Sequence, residues 1–445
     1  MGIYRGITMG QEAKKISASP QNRPSRARFV ILALLFIGTA INYLDRTNIS
    51  VAASSIQKDL GLNPVTLGLI FSAFGWSYAF MQIPGGWFLD RFGPRLVYAV
   101  SLFTWSIVTL FQGFAKNFGS LFGLRLALGI TEAPAFPTNS RVVAAWFPKQ
   151  ERALATGVYT AGEYVGLAFA TPILFWILSN FGWQKIFLVT GIVGILFTFV
   201  WAKMYRDPKY SKGINKEEMD YIREGEGLAD TAVEKQKVKW VEVKQLLKYR
   251  QIWGISYTQF SVASMLYFFL TWFPTYLVQE KQMSFIKAGF MGSLPYIAAG
   301  IGVLLAGAWS DKMVKNGKTL TAARKTPIIT GALGACLIVL ANYTQVPGLV
   351  IAIMSVAFFS QGMAATGWVM VSDLAPSKLV GLAGGVFNVA ANLSGIITPI
   401  VIGFIVQKTH SFTGALIFIA VLALSGALSL LFVVGKIERL ELKEE

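Results

Sequence analysis

The chain has 445 residues, of which 54% are apolar and only 14% are charged, and its mean hydropathy is +0.53. Because soluble domains carry about 25% charged residues, this composition excludes an ordinary soluble protein. One cysteine and one histidine exclude a disulfide framework and a Cys/His metal cluster, and we expect neither a metal nor a cofactor.

Apolar segments recur along the whole chain and predict an all-α polytopic membrane protein. A spanning helix needs about 20 such residues. Twelve segments fit this length, near 29–52, 64–88, 96–115, 119–146, 152–178, 183–205, 251–278, 285–310, 325–343, 347–371, 378–405 and 412–436. They predict two six-helix bundles at 29–205 and 251–436, a hydrophilic linker at 206–250, and tails at 1–28 and 437–445.

The positive residues behind the net charge of +17 are distributed according to the predicted spans, so the charge does not indicate a nucleic-acid partner. With the N-terminus placed inside, 31 Lys and Arg residues fall in cytoplasmic segments and six in external ones. This asymmetry is the positive-inside rule. It predicts that both termini, and the linker, lie in the cytoplasm.

The first span contains two adjacent charged residues, Asp45 and Arg46. A charge at membrane depth costs at least about 2.5–3.5 kcal/mol, and it persists where it pairs, faces a wet cavity or has a function. The two residues therefore indicate that the chain moves something charged. The alternative is that Asp45 only neutralises Arg46.

A charged loop follows the second span and has a counterpart in the second bundle. Gly86, Asp90, Arg91 and Gly93 lie in GWFLDRFGPR, and Asp311 lies in GAWSDK after the eighth span, 221 residues after Asp90. The glycines permit close helix packing, and the aspartates accept from or cap a neighbouring helix end. This repeat indicates a role in the fold and in conformational switching rather than in choosing a substrate.

Further ionisable residues lie within the N-terminal spans. Arg125 and Glu132 are two turns apart on one face of the fourth span, and Glu163 lies near the middle of the fifth. The second span adds Tyr78. These residues are candidates for binding protons or an anion. Arg125 and Glu132 alternatively form a structural ion pair, and Glu163 alternatively pairs with Arg46 or Arg125.

The linker contains Asn215, a predicted helix cap three residues before Glu218. It ends in KWVEVKQLLKYR, whose apolar and basic residues fall on opposite helix faces. This segment predicts either an amphipathic helix on the inner leaflet or a soluble linker helix.

The C-terminal spans carry amides, hydroxyls and aromatic rings but almost no charge. The residues of this kind are Gln259, Tyr267, Trp272, Gln361, Trp368, Asn388 and Asn392. Charged groups in one bundle and hydrogen-bonding groups in the other suit a ligand with an anionic head and a hydroxylated body. The alternative for Tyr78, Trp368 and Asn388 is ordinary helix packing.

Several segments resemble the major facilitator superfamily, whose hallmark is a G-x-x-x-D-R-x-G-x-R loop after the second span. INYLDRTNISVA, LRLALGITEAPAFPTNSRVVAAWFP and GLAGGVFNVAANLSGIITPIVIG are similar to its anion:cation symporters, especially bacterial D-galactonate and glucarate/galactarate transporters. The similarity runs from about residue 28 to the C-terminus. It implies the major facilitator fold, an inner or plasma membrane, and uptake of a hexose-derived sugar acid with protons. The expected partners are that anion, protons and membrane lipid, and we expect a monomer.

The resemblance also implies roles for individual residues. The arginine matching Arg46 binds the substrate carboxylate, the acids matching Asp45 and Glu132 carry protons, and the arginine matching Arg125 is coupled to that glutamate. Other positions line the sugar-acid pocket, namely those matching Tyr43, Tyr78, Trp368 and Asn388.

Two departures from the galactonate type concern substrate choice. Glu163 stands where that type has a glutamine that contacts the substrate, and Ala365 and Gly367 stand where it has a serine and a threonine. The lost hydroxyls argue against galactonate itself, and WVMVSDLAP is nearer to the glucarate/galactarate members.

These residues predict alternating access driven by protons. Glu132 and Asp45 take up protons, protonation of Asp45 frees Arg46 to pair with a carboxylate, and a protonated Glu163 donates to the substrate. The alternatives are a sodium-coupled or exchange carrier for another organic anion and a proton-driven exporter. A membrane enzyme is not expected, because the sequence has no nucleophile elbow, metal cluster or nucleotide loop.

Overall fold

The computed structural model describes residues 24–227, 240–376 and 379–440, and these ranges contain helices and no strand. The helices are α1 (Ala27–Asp59), α2 (Pro64–Gln112), α3 (Phe118–Glu132), α4 (Ala135–Trp146), α5 (Arg152–Phe181), α6 (Trp183–Met204), α7 (Lys216–Glu224), α8 (Trp240–Leu247), α9 (Arg250–Thr271), α10 (Phe273–Thr275), α11 (Phe285–Lys315), α12 (Leu320–Ala335), α13 (Pro347–Ala364), α14 (Trp368–Leu374), α15 (Val380–Thr409) and α16 (Thr413–Leu428). Most of the predicted N-terminal tail and the end of the C-terminal tail lie outside the described residues.

Nine helices in the described ranges are long and apolar enough to cross a membrane, and a pair bent by 51°, Arg250–Thr271 with Phe273–Glu280, adds a tenth. The difference from twelve predicted spans has a physical cause. Helix α2, with 49 residues, holds the second and third spans and bends at Gly93, whose φ of 76° is non-helical. The fourth span is divided between α3 and α4 at Pro134. The predicted all-α membrane fold is thus confirmed.

The helices form an N-half (α1–α6) and a C-half (α9–α16), which pack along two seams. In the α2–α15 seam, a methyl group added to Gly68 would lie 2.6 Å from the Pro399 carbonyl oxygen. In the α5–α11 seam, one added to Gly289 would lie 2.9 Å from Phe175 Cβ. Both contacts lie on the side of the membrane where α1 ends, here called the distal side. Small residues therefore bring the halves together there.

The opposite side, where α1 begins and here called the terminal side, lacks these contacts. Gly86 and Gly385 occupy the terminal-side part of the α2–α15 seam, and Gly157 and Gly307 occupy that of the α5–α11 seam. None of these four glycines has any atom within 4 Å of an added methyl group. One apolar core contains residues of both halves, whereas the other two contain residues of one half each. The cleft between the halves is therefore open toward the terminal side.

The linker helix α7 packs against the N-half. Asn215 caps it as predicted, accepting a hydrogen bond from the Glu218 amide at 3.0 Å. The carboxylate of Glu218 is fully buried, pairs with Arg28 at 3.0 Å and accepts from the backbone amide of Ala27 at 3.0 Å. Arg28 also contacts Glu151 at 3.2 Å. These contacts attach the linker to the beginning of α1.

Helix α8 forms within the predicted amphipathic segment, and Leu246 is buried against the C-half. Whether its basic face meets lipid or water stays a prediction.

Candidate functional site

The centre of the N-half contains a buried ion pair. Arg46 Nε lies 2.6 Å from Glu132 Oε1, and the two side chains are 9% and 0% exposed. The guanidinium also lies over the rings of Tyr43, Phe74 and Tyr78, at 4.9, 4.7 and 5.0 Å from their centroids. Three aromatic faces and one carboxylate therefore orient this arginine.

This pairing corrects two of the alternatives given above. Arg125 does not form the predicted ion pair with Glu132; its Nε and Nη1 atoms have no hydrogen-bond partner among the described residues, and its guanidinium lies over Phe74 at 5.3 Å. Arg125 acts on Glu132 only through space. Asp45 does not neutralise Arg46 either, because adjacent residues on a helix point in different directions.

Asp45 points instead between α1, the second part of α2, and α6. Its carboxylate is 1% exposed and accepts hydrogen bonds from Trp105 Nε1 at 3.1 Å and Asn48 Nδ2 at 3.3 Å. The same Asn48 amide donates to Thr190 at 2.7 Å. Asp45 is therefore held away from the cleft by three helices, and the group that holds Arg46 is Glu132.

Glu163 has neither of the predicted ion pairs among the described residues. Its side chain is partly exposed and lies near the Tyr43 side chain. Since Arg46 lies over the ring of Tyr43, the arginine and Glu163 are both neighbours of the same tyrosine. A carboxyl group in this position can meet a ligand held by Arg46.

In the C-half, Trp368 and Asn388 lie close together. The ring of Trp368 meets that of Phe387 edge to face at 5.1 Å and packs on Gly384, one turn before Asn388. Trp368 is 49% exposed. Asn388 Nδ2 donates a hydrogen bond across the cleft to Gln82 Oε1 of α2 at 3.3 Å.

These residues lie where the two halves diverge. In the α2–α15 seam, Gly75 packs on Gly395. The hydrogen bond between Gln82 and Asn388 lies two helical turns from this contact, toward the terminal side. Beyond that bond the seam is open. In the α5–α11 seam, Gly300 packs on Tyr164, the neighbour of Glu163. The predicted substrate residues of both halves thus lie at the closed end of the cleft.

The predicted switching loop lies apart from this cluster, at the terminal side. Arg91 packs over Trp87, 5.4 Å from its centroid. Asp311 is 72% exposed and lies 3.7 Å from Arg324, which binds Asp373 at 2.9 Å. The loop aspartate of the C-half therefore lies near an arginine of the neighbouring helix α12, and its role in switching stays a prediction.

Three residues that contact the candidate site were not assigned a role from the sequence. Gln82 and Trp105 carry no charge and lie in apolar surroundings, so nothing distinguishes them from packing residues. Tyr267 was noted as polar, and the structure places it against Gly395 and within electrostatic range of Arg46. In the described residues, no group of three or more His, Cys, Asp or Glu side chains could hold a metal ion.

Comparison with known proteins adds four findings. The family model of the Major Facilitator Superfamily matches residues 35–323. The chain is 49% identical to a "D-galactonate transporter" of Escherichia coli O6:H1, over 94% of this chain and 98% of that one. It is 44% identical to the "Probable galactarate/D-glucarate transporter GudP" of Bacillus subtilis, over 96% of each. Among solved structures, a "D-xylose-proton symporter" superposes with a TM-score of 0.72 at 16% identity, covering 92% of this chain and 98% of that one.

Proposed function

We propose, from the premise that the chain belongs to the Major Facilitator Superfamily, that it imports a hexose-derived sugar acid together with protons. The substrate class is a hexonate or an aldarate, such as galactonate, glucarate or galactarate. The names of the two relatives support this class. Members of this family are transporters and not enzymes.

The proposal rests on one observation: Arg46 lies at the closed end of the cleft, and part of its guanidinium group has no hydrogen-bond partner there. Its Nε is taken by Glu132, while its Nη2 has no hydrogen-bond partner among the described residues. Guanidinium groups bind carboxylates through two parallel hydrogen bonds. A sugar-acid carboxylate can therefore bind Arg46 through two hydrogen bonds once Glu132 releases the Nε atom.

Proton coupling follows from the charges around that site. Arg46 and Arg125 supply two positive charges, and Asp45, Glu132 and Glu163 supply three negative ones when all are ionised. An anionic substrate would increase the negative excess in a poorly solvated space, which is costly. Protonation of Glu132 removes a charge and releases Arg46. In the proposed cycle Glu132 replaces Asp45 as the acid that controls access to Arg46, and Asp45 carries a second proton.

The remaining residues complete the pocket. Tyr43 and Tyr78 flank the guanidinium, Glu163 meets the hydroxylated body of the substrate, and Trp368 with Asn388 closes the site from the C-half. Closure around a neutralised site lets the halves rock about it.

The location and organisation belong to the same proposal. The carrier lies in an inner or plasma membrane as a monomer, with both termini in the cytoplasm, so the open terminal side faces inward. The units are the tail 1–28, the bundle 29–205, the linker 206–250, the bundle 251–436 and the tail 437–445. The basic residues of the linker and the loops support this orientation.

Uptake by purified protein in liposomes tests the proposed function. An inward proton gradient is expected to drive accumulation of one acid among galactonate, gluconate, glucarate, galactarate, glucuronate and galacturonate. The same acid, at about 100 times its Kd, stabilises the folded protein by about 2.7 kcal/mol, whereas neutral galactose does not. Accumulation driven by sodium, or outward transport, would contradict the proposal and favour the alternative carriers.

Replacing Glu163 by glutamine is expected to make uptake less sensitive to alkaline pH and to change substrate preference. The amide donates a hydrogen bond at every pH, whereas an ionised Glu163 repels the anion held by Arg46. Relief of a repulsion of about 1 kcal/mol raises uptake about fivefold at alkaline pH. The measurement is the pH profile of uptake for a hexonate and an aldarate.

The matched control for that measurement is Glu280→Gln, because Glu280 binds Ser411 on the distal side at 2.9 Å. An unchanged pH profile together with an unchanged substrate preference in Glu163→Gln would show that Glu163 does not meet the substrate.

A further inference from the structure

Gln82 and Asn388 form a hydrogen bond between the two halves at the closed end of the cleft. Both side chains are partly exposed, so each can exchange this partner for water or a ligand. The bond joins α2 to α15, two helices that move relative to one another if the cleft changes sides.

The register of the seam places this bond at the point of divergence. On the distal side, a methyl group added to Gly75 would lie 3.3 Å from the Gly395 backbone. On the terminal side, Gly86 and Gly385 lie one turn beyond Gln82 and Asn388 and meet nothing within 4 Å. The bond therefore lies between the packed part of the seam and the part where these glycines meet open space.

The same bond connects the two parts of the proposed pocket. Gln82 is one helical turn after Tyr78, which lies against the Arg46 guanidinium. Asn388 is one turn after Gly384, on which Trp368 packs. A ligand that reaches from Arg46 to Trp368 thus passes the amides of Gln82 and Asn388.

We propose that Gln82 is a positioning residue for transport: it holds Asn388 in the empty, terminal-side-open carrier and is displaced by a substrate hydroxyl. This inference rests on the proposed function. A hydroxyl can both donate and accept a hydrogen bond, so a substrate hydroxyl can replace Gln82 as the hydrogen-bond partner of the Asn388 amide. Substrate binding then removes a bond that stabilises the open terminal side, which links occupancy to closure.

The test compares binding in single and double variants. Gln82→Met keeps the side-chain length but loses the acceptor, so Asn388 is free and the substrate Kd is expected to fall about two- to tenfold, the range for one neutral hydrogen bond. In an Asn388→Leu background the same change is expected to leave the Kd unaltered. The control is Gln279→Met, which removes another bond between the halves, from Gln279 to Gln57 on the distal side at 2.9 Å, and leaves the Kd unaltered.

A second measurement needs no substrate. Thr171 is 1% exposed and lies in the distal part of the α5–α11 seam, against Gly292. In a Cys336→Ala background, Thr171→Cys reports opening of the distal side by its rate of alkylation. Adding Gln82→Met is expected to raise that rate about two- to tenfold, because the minor distal-open population grows by the same factor.

The outcomes separate the two proposals. If no sugar acid binds the wild type, the proposed function fails, while the alkylation rate still tests the role of Gln82. An unchanged alkylation rate, a weaker Kd in Gln82→Met, or an equal change in the Asn388→Leu background would overturn the inference.

Discussion

Replacing Arg46 by lysine is expected to weaken substrate binding about tenfold to 100-fold. Lysine keeps the positive charge and can still pair with Glu132, but it lacks the planar fork that binds a carboxylate through two bonds. One lost hydrogen bond to a charged group corresponds to about 1.5–3 kcal/mol. The measurement is the Kd from stabilisation of purified protein by the sugar acid, with uptake at low substrate concentration beside it.

Arg28→Lys is the matched control for this change. Arg28 also binds two carboxylates, those of Glu151 and Glu218, but it lies outside the cleft. Its replacement is expected to lower the melting temperature without changing the substrate Kd. A Kd for Arg46→Lys within about twofold of the wild type would exclude Arg46 as the carboxylate site, because a single lost ionic bond has a larger effect.

Replacing Glu132 by glutamine is expected to abolish proton-driven accumulation while exchange of labelled for unlabelled substrate continues. Glutamine cannot carry a proton, and it leaves Arg46 permanently available for the anion. For the wild type, a gradient of one pH unit supports about tenfold accumulation per coupled proton, since one unit corresponds to about 1.4 kcal/mol. For the variant, the internal and external concentrations become equal, because the proton on Asp45 does not control access of the anion to Arg46.

The control here is Glu151→Gln, because Glu151 is a carboxylate that pairs with an arginine outside the membrane core. It is expected to leave the accumulation ratio unaltered. A Glu132→Gln carrier that still accumulates substrate would show that protonation of Asp45 or Glu163 is enough for coupling and that Glu132 does not control it.

The fold was predictable because its main determinant is local. Runs of about 20 apolar residues define spanning helices whatever their neighbours are, and twelve such runs are visible in the sequence. The bend at Gly93 was less visible, because the second and third spans continue as one 49-residue helix. The charged loop residues were predicted as a switching element, while their contacts depend on helices that the sequence leaves unplaced.

The site was only half predictable, because its pairing is not local. Arg46 and Glu132 are separated by 86 residues, and Arg125, two turns from Glu132 on the same helix, is the nearer partner in sequence. The bundle instead brings α1 against the end of α3. Gln82 illustrates the other limit, since a lone amide in an apolar span carries no signal of a bond across the cleft.

The glycines that line both seams have a consequence for the speed of the carrier. On the distal side they lie in contact, and on the terminal side they face open space. Because glycines lie at both ends of each seam, we expect that exchanging one closed end for the other changes the buried apolar area little. We therefore expect the two states to differ little in free energy, so that a few hydrogen bonds and one proton are enough to shift their populations. Such a carrier is expected to release its substrate readily, because neither orientation is strongly preferred over the other.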